Sequence, residues 1–351
     1  MSADWPRVRA IYEEGMASGV ATFETVLPSW DDWDEARLPH SRFVARAETV
    51  LGWAALSAVS RRVCYAGVAE VGIYVAASAR GRGIGRRLLE ALIASAEQSH
   101  GPDSFEVGCA LNELVDSLNR AGKGSEPETT NLGRRAVAIF ETTVGPGEPL
   151  ARSMRSLAMT REDSGDLAAA RQILERALAV GEEALGLEHA DVGRTHANLG
   201  WTLYLLAEYD PARSHLERAR EILEKALGPE DLNLAGALNN LAIVCWRTGR
   251  YEESRSFYER ALAIREKKLP PDHPLVARSV ENLAILLKQM GEYAAARPLY
   301  ERALGIRERS LGPEHPEVAN NMQNYAALLS DLGDPVGARR LYERALPIFE
   351  K

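Results

Sequence analysis

Two sets of residues have types and spacings that could do chemistry. The first is the run Arg80-Gly81-Arg82-Gly83-Ile84-Gly85, between the apolar segment Val68–Val75 and a helix-forming stretch that continues through Arg86. Three glycines opening a helix leave its first N–H groups unpaired and aim the positive end of the helix dipole at one spot, which suits a pyrophosphate. The spacing is neither that of a P-loop nor that of the dinucleotide fingerprint, and a plain tight turn uses the same residues. The second set is Asn198, Asn240, Asn282 and Asn324, one every 42 residues, with Ser156 and Glu113 at the matching place upstream. Asn is a mediocre helix former, so its recurrence in helical stretches needs a reason. A ladder of amides could hold the backbone of an extended peptide. Alternatively, each amide satisfies a polar group of a neighbouring helix. Arg194, Arg278 and Asn320 stand four residues before a ladder Asn, on the same helical face, and Arg247 and Gln289 stand seven after one. These arginines would favour an acidic segment, and solvated surface charge is the plainer explanation.

The elements that must position the ladder are internal repeats. Segments beginning at Leu185, Leu227, Leu269 and Leu311 follow one another every 42 residues; a shorter copy begins near Val144 and a degenerate one near His100. Each reads as two helices joined at a turn such as Gly249, Gly291 or Gly333. Apolar residues recur at helical spacing in the second helix: Phe257, Ala261, Leu262 and Ile264, then Leu299, Ala303, Leu304 and Ile306. The Pro of GPE or PPD ends one hairpin and sets up the next. One hairpin cannot bury its apolar faces alone, so stacking follows.

Composition removes other classes. The chain has 351 residues, 42 Lys+Arg against 50 Asp+Glu, and a formal net charge of −8. That balance argues against nucleic acid and anionic membranes as partners. Three scattered cysteines (Cys64, Cys109 and Cys245) and seven histidines without ligand spacing give no disulfide framework and no metal site. The opening residues lack the apolar stretch of a signal peptide, and the expectation is a cytoplasmic protein with reduced thiols.

The NLA/NYA triplets, the G-x-Y turn, the YERAL core and the LGPEHP linker resemble the tetratricopeptide repeat in its long, kinesin-light-chain form, over roughly residues 100–351. The resemblance implies a right-handed α-solenoid of six helix-turn-helix repeats that binds a partner protein or peptide in its concave groove. It implies no catalysis there. Asn198, Asn240, Asn282, Asn324, Arg194, Arg247 and Arg278 are then the candidate partner-binding residues.

Residues 1–100 lack this period. They read as an amphipathic helix at Trp5–Gly15, a polar acidic segment at Trp30–Glu35, and strands near Arg42–Ala45, Val50–Ser60 and Val68–Val75. Three blocks in order resemble the GCN5-related N-acetyltransferases, and phosphinothricin-type enzymes among them: AIYEEGMASGVATFET, LGWAALSAVS and YAGVAEVGIYVAASARGRGIG. The resemblance implies an α/β module that takes acetyl-CoA. Arg80, Arg82, Gly83, Gly85 and Arg86 would bind the pyrophosphate, and the backbone of Ile73, Tyr74 and Val75 would align the pantetheine. Glu70 would be the base, although an ordinary acidic residue opening a strand fits as well. The match stops in mid-fold, without the later strands of the family, so the module reads as incomplete. It leaves Val68–Val75 as an edge strand.

The join is gapless. GRRLLEALIASAEQSHGPD (Gly85–Asp103) superposes on ARPLYERALGIRERSLGPE (Ala296–Glu314), so the helix after the glycines should double as the second helix of a cryptic repeat. At the other end, Leu341, Ala345, Leu346 and Ile348 are expected to be partly uncovered and to support weak self-association. The leading expectation is a protein-interaction scaffold, with residues 1–100 as one domain and 101–351 as the other. The rival is an acetyl-CoA-dependent N-acetyltransferase of a small amine, with the repeats recruiting substrate.

Overall fold

The computed structural model describes residues 2–17, 27–58 and 69–350. The chain divides into two units, Met1–Leu187 and Glu188–Lys351.

The first unit opens with α1 (Trp5–Ala17), α2 (Trp30–Ala36) and the strands β1 (Arg37–Arg46), β2 (Val50–Ala58) and β3 (Ala69–Val75). The strands form one antiparallel sheet in the order β1-β2-β3, and among the described residues no further strand pairs with β3. Alternation sorts its side chains by face. Trp53 meets Tyr12 and Trp33 at 5.5 Å and stacks on Tyr74 at 4.8 Å, which gives one face an aromatic core under α1 and α2. Gly52 lies on the other face, where a Cβ would stand 2.8 Å from the Tyr74 carbonyl and 3.3 Å from Leu88. The missing side chain lets α3 (Ile84–His100) close onto the sheet. The segment expected to be polar at Trp30–Glu35 is thus helical. Trp30 and Trp33, one turn apart, turn its apolar edge inward, and Ser29 caps it by accepting the Asp32 N–H.

Next come α4 (Phe105–Arg120), α5 (Pro127–Thr143), α6 (Glu148–Asp163) and α7 (Leu167–Leu185). α3 packs on all three strands and also on α4. Leu88, Leu92 and Ala96 of α3 share one core with Trp53 and Ala54 of the sheet and with Val107, Leu111 and Leu114 of α4. Arg135 of α5 reaches back to Glu97 at 2.6 Å and to the Pro102 carbonyl. The passage from sheet to repeats is therefore a packed surface with α3 at its centre.

The second unit consists of four hairpins: α8 (Ala190–Leu205) with α9 (Tyr209–Leu227), α10 (Leu232–Arg247) with α11 (Tyr251–Lys268), α12 (Pro274–Gln289) with α13 (Tyr293–Leu311), and α14 (Pro316–Asp331) with α15 (Pro335–Phe349). Each second helix also packs on the first helix of the next hairpin, which buries the apolar stripes in continuous layers. The linker histidines His189, His273 and His315 serve as N-caps, each Nδ1 accepting the N–H two residues on. Within the hairpins, Gly249, Gly291 and Gly333 hold φ between 76° and 80°, where a Cβ is unwelcome. Ala207 takes the same place in the first hairpin at φ 61°. Successive second helices are stitched on the outside by Arg260–Glu224, Arg302–Glu266 and Arg344–Glu308, at 2.5–2.6 Å. Such exposed pairs contribute about 0–1 kcal/mol each.

The C-terminal hairpin corrects one expectation. Leu341 and Ala345 are buried, because they face α14 within their own hairpin. The exposed large apolar residues of α15 are Val336, Tyr342, Leu346 and Phe349. Among the described residues, no helix is long and apolar enough to cross a membrane.

Candidate functional site

The ladder asparagines lie on α8, α10, α12 and α14, and all four are half-buried. They differ in what they hold. Asn282 donates to the Asn239 Oδ1 at 2.9 Å, and Asn324 donates to Glu281 at 3.1 Å, each linking its helix to the preceding first helix. Asn240 only accepts a 3.4 Å contact from Asn239. Among the described residues, the Asn198 side chain has no hydrogen-bond partner. Two of the four amides therefore fasten neighbouring helices, and two keep their polar groups available to water or a ligand.

In the first unit the matching positions are Ser156 on α6 and Glu113 on α4, and they too join their helices. Arg152 bridges Glu113 and Asp116, and the Ser156 hydroxyl donates to Asp116. Burial pushes the Glu113 carboxyl up; Arg152 opposes that shift and Asp116 adds to it.

The arginines also divide. Arg194 is held by the buried Asp191 at 2.9 Å. Arg247 lies beside Tyr209, whose hydroxyl raises its pKa. Arg278 is reached by solvent and has no ion-pair partner among the described residues. Its guanidinium is nevertheless crowded by protein: desolvation holds its pKa down, with Arg307 adding to the effect and Glu317 opposing it.

One set of residues escaped the sequence reading. Three positions after each ladder Asn, one helical turn on, stand Trp201, Ile243, Ile285 and Ala327, all half-buried, and Ile243 and Ile285 pack against the core of the hairpins. Trp201 stacks on Tyr204 at 5.1 Å. At this phase the side chains shrink from Trp201 on α8 to Ala327 on α14. The signal that could have found it is the repeat phase itself, read one helical turn beyond the Asn.

At the other candidate site, Gly81 and Gly83 have φ of 74° and 71°, and a Cβ on either would meet nothing within 4 Å. The turn is therefore open, and it needs glycine for its backbone rather than for space. Gly85 seats α3 against Ile73 and Val75. Arg80 and Arg82 are exposed, and Arg80 Nε donates to the Val75 carbonyl at 3.3 Å. Arg86 is engaged elsewhere, at 2.7 Å from both Glu90 and Glu128, which raise its pKa. Tyr74 faces Tyr12 and Trp53 inside the sheet core, and Ile73 and Val75 are half-buried. Glu70 pairs with Ser57 in β3; its side chain lies outside the described residues. So does Cys64. Burial raises the Cys245 thiol to about 11, which leaves it unreactive at neutral pH.

Known proteins match the two parts separately. A model of the Acetyltransferase (GNAT) family matches residues 5–114. The phosphinothricin N-acetyltransferase of Alcaligenes faecalis is 35% identical over 146 residues, 39% of this chain and 65% of that protein. The chain thus spans less than two thirds of that relative's length. Among solved structures, the nearly identical TPR-like repeats of a putative kinesin light chain from Podosopora anserina are 25% identical. That likeness covers 56% of this chain and 93% of that one, with a TM-score of 0.50. BtubC (BKLC) from P. vanneervenii, 24% identical, covers 64% of this chain and 92% of its own at a TM-score of 0.53, a likeness of fold. A model of the tetratricopeptide repeat matches residues 149–225, 233–309 and 276–351, more than half of the sequence, and the chain belongs to that family.

Proposed function

We propose that the chain is a protein-interaction scaffold that holds a segment of a partner along the open side of α8, α10, α12 and α14. The observation that carries this reading is the register of two unlike rows on that side. The amides of Asn198 and Asn240 are not consumed by the fold, and Trp201, Ile243 and Ile285 run beside them at one residue per repeat. Amides can hold a partner's backbone while the apolar row takes its side chains. Arg194, Arg247 and Arg278 bias the face toward acidic segments. Residues 1–100 would be a partial acetyltransferase module serving as a docking or capping element, with its boundary at the end of α3. Weak self-association would use Tyr342, Leu346 and Phe349.

The test is recovery of partner proteins by the immobilised chain. The double variant Asn198→Ala/Asn240→Ala should cut recovery about tenfold, the value of one or two hydrogen bonds, with no change in melting temperature. Recovery equal to that of the unaltered chain would remove the reading.

A second reading rests on the glycine turn: acetyl-CoA binding, with N-acetyl transfer to a small amine. The open turn at the start of α3 fits a pyrophosphate, and the match over residues 5–114 agrees with it. Two features fit poorly. Arg86 is neutralised by Glu90 and Glu128, and no strand follows β3 among the described residues. Calorimetric titration with acetyl-CoA decides: saturable heat that disappears in Gly83→Asp favours this reading, and no heat leaves the scaffold alone.

A further inference from the structure

The sheet of the first unit has an open edge beside an apolar hollow. β1 pairs with β2 along one edge, and among the described residues no strand pairs with its other edge. α3 packs on β1 as well as on β2 and β3. Phe43 stands opposite Ala54 and Ala45 opposite Gly52, so alternation sets both on the side that Gly52 opens to Leu88 of α3. There they surround, with Ile84, Leu88 and Ala91 of α3, an open cavity of about 260 Å³. The four successive residues Phe43 to Arg46 all line it. Residues from both faces of a strand meet one cavity only along the strand's edge, and β2 occupies the other edge. Ile84 and Leu88 are buried, whereas Phe43, Ala45 and Ala91 are only half-buried.

Bare strand edges invite pairing, and proteins blunt them with charge, proline or a bulge. In β1 the charges are tied up at the two ends of the open stretch. Arg42 turns back toward α2, where it pairs with Asp34 and donates to the Asp34 and Arg37 carbonyls. Arg46 is held by Asp4. The irregularities of register fall between Arg37 and Arg42 and between Ala45 and Arg46, which leaves Arg42–Ala45 as a regular run. Its middle, Phe43 to Ala45, carries no charge. Arg87 lines the cavity from α3, is exposed, and has no ion-pair partner among the described residues. The hollow is therefore apolar within and positive at its rim.

We propose that the outer edge of β1, with this hollow, is a strand-addition site for an extended segment of a partner protein. The segment has apolar side chains at two alternate positions and a carboxylate two residues after the second. Its main chain pairs with the Arg42–Ala45 run, its alternate side chains fill the hollow, and its carboxylate meets Arg87. A second copy of this chain does not suit the edge. Two-fold pairing of two β1 strands about Val44 would set Arg42 of each opposite Arg46 of the other, and like charges directly opposite destabilise a strand pair. The proposal builds on the reading of residues 1–100 as a docking element and does not involve the ladder asparagines.

The probe is the capped hexapeptide Thr-Ile-Thr-Val-Thr-Glu, added to the full chain and followed by amide hydrogen exchange. The expected result is a saturable slowing of exchange in β1 at millimolar peptide, absent when the peptide's amides are N-methylated and cannot pair. Ala91→Phe fills the hollow from the helix side and should abolish the slowing with no change in melting temperature. Arg87→Gln should weaken binding about threefold, the worth of an exposed ion pair. It should leave the weaker binding of Thr-Ile-Thr-Val-Thr-Gln unchanged, and it serves if Ala91→Phe misfolds. No slowing in β1, equal slowing by the N-methylated peptide, or undiminished slowing in both variants would each overturn the proposal. Exchange in β1 that slows with chain concentration alone would give the edge to a second copy and overturn the choice of occupant. The chain carrying Asn198→Ala/Asn240→Ala should bind the hexapeptide normally, so a failure at this edge and a failure of capture along the first helices are told apart.

Discussion

Acidification from pH 7 to pH 4 is expected to remove about 3 kcal/mol of stability from residues 188–351 through His196 alone, and His196→Leu should abolish that share of the loss. His196 of α8 and His215 of α9 face each other with 2.8 Å between their Nδ1 atoms and ring centroids 5.1 Å apart. Burial lowers the His196 pKa from 6.5 to about 4, with His215 and Arg218 adding to the shift. A depressed histidine pKa means that the unfolded chain takes up the proton first. The stabilising contribution is complete above about pH 6.5 and drains away as the pH falls toward 4. The other hairpins place Leu238 with Phe257, Val280 with Leu299 and Met322 with Leu341 at these positions, so leucine has a template in the same chain. The measurement is chemical denaturation at several pH values for both chains. Parallel pH dependences of the two would contradict the assignment to His196.

The second large effect lies at the buried ion pair. Glu281→Ala is expected to cost about 3–5 kcal/mol, because it leaves Arg307 charged and without a partner in a closed site. Both side chains are 8% exposed. Arg307 would keep only the Glu317 carbonyl at 2.9 Å and a long contact to the Glu317 carboxylate. The double variant Glu281→Ala/Arg307→Leu should recover most of the loss, since it copies the residues of the first hairpin at these positions, Ala197 and Leu223, which belong to one apolar cluster. Urea denaturation of the single and double variants provides the check. A single variant as stable as the parent, or a double variant as unstable as the single, would contradict this account of the pair.

The repeats were legible because their signals are local and recur. Gly249, Gly291 and Gly333 mark turns, proline opens helices, and the apolar residues of α11 and α13 keep a helical period. Of the strands expected at Val50–Ser60 and Val68–Val75, the described residues form β2 and β3, residues 59–60 and 68 lying outside them, and β1 runs further upstream than expected, to Arg37, across an irregularity between Arg37 and Arg42. The acidic letters of Trp30–Glu35 concealed α2, whose two tryptophans one turn apart were the better signal. At the C-terminus, apolar character alone could not say which side of α15 faces α14. Leu341 and Ala345 proved covered, and Tyr342 and Leu346 open. The candidate site was half legible. The ladder positions can be read from the period, but whether an amide is consumed depends on the residue one place before the ladder position in the preceding repeat. Asn239 and Glu281 capture the next ladder amide, and Ala197 cannot. The His196–His215 pair was hidden for a similar reason: its members are 19 residues apart and meet only when the hairpin closes.

The central claim is that partners are held on the open side of the first helices. Site-specific photocrosslinking in cells tests it most directly, with the photoreactive residue placed at Ile243 or Ile285 on that side and at Glu259 or Arg297 on the outer helices. The account predicts protein adducts from the first pair that fade when Asn198 and Asn240 are changed to alanine, and few from the second. Adducts that form equally from both sides, or only from the outer helices, would contradict it.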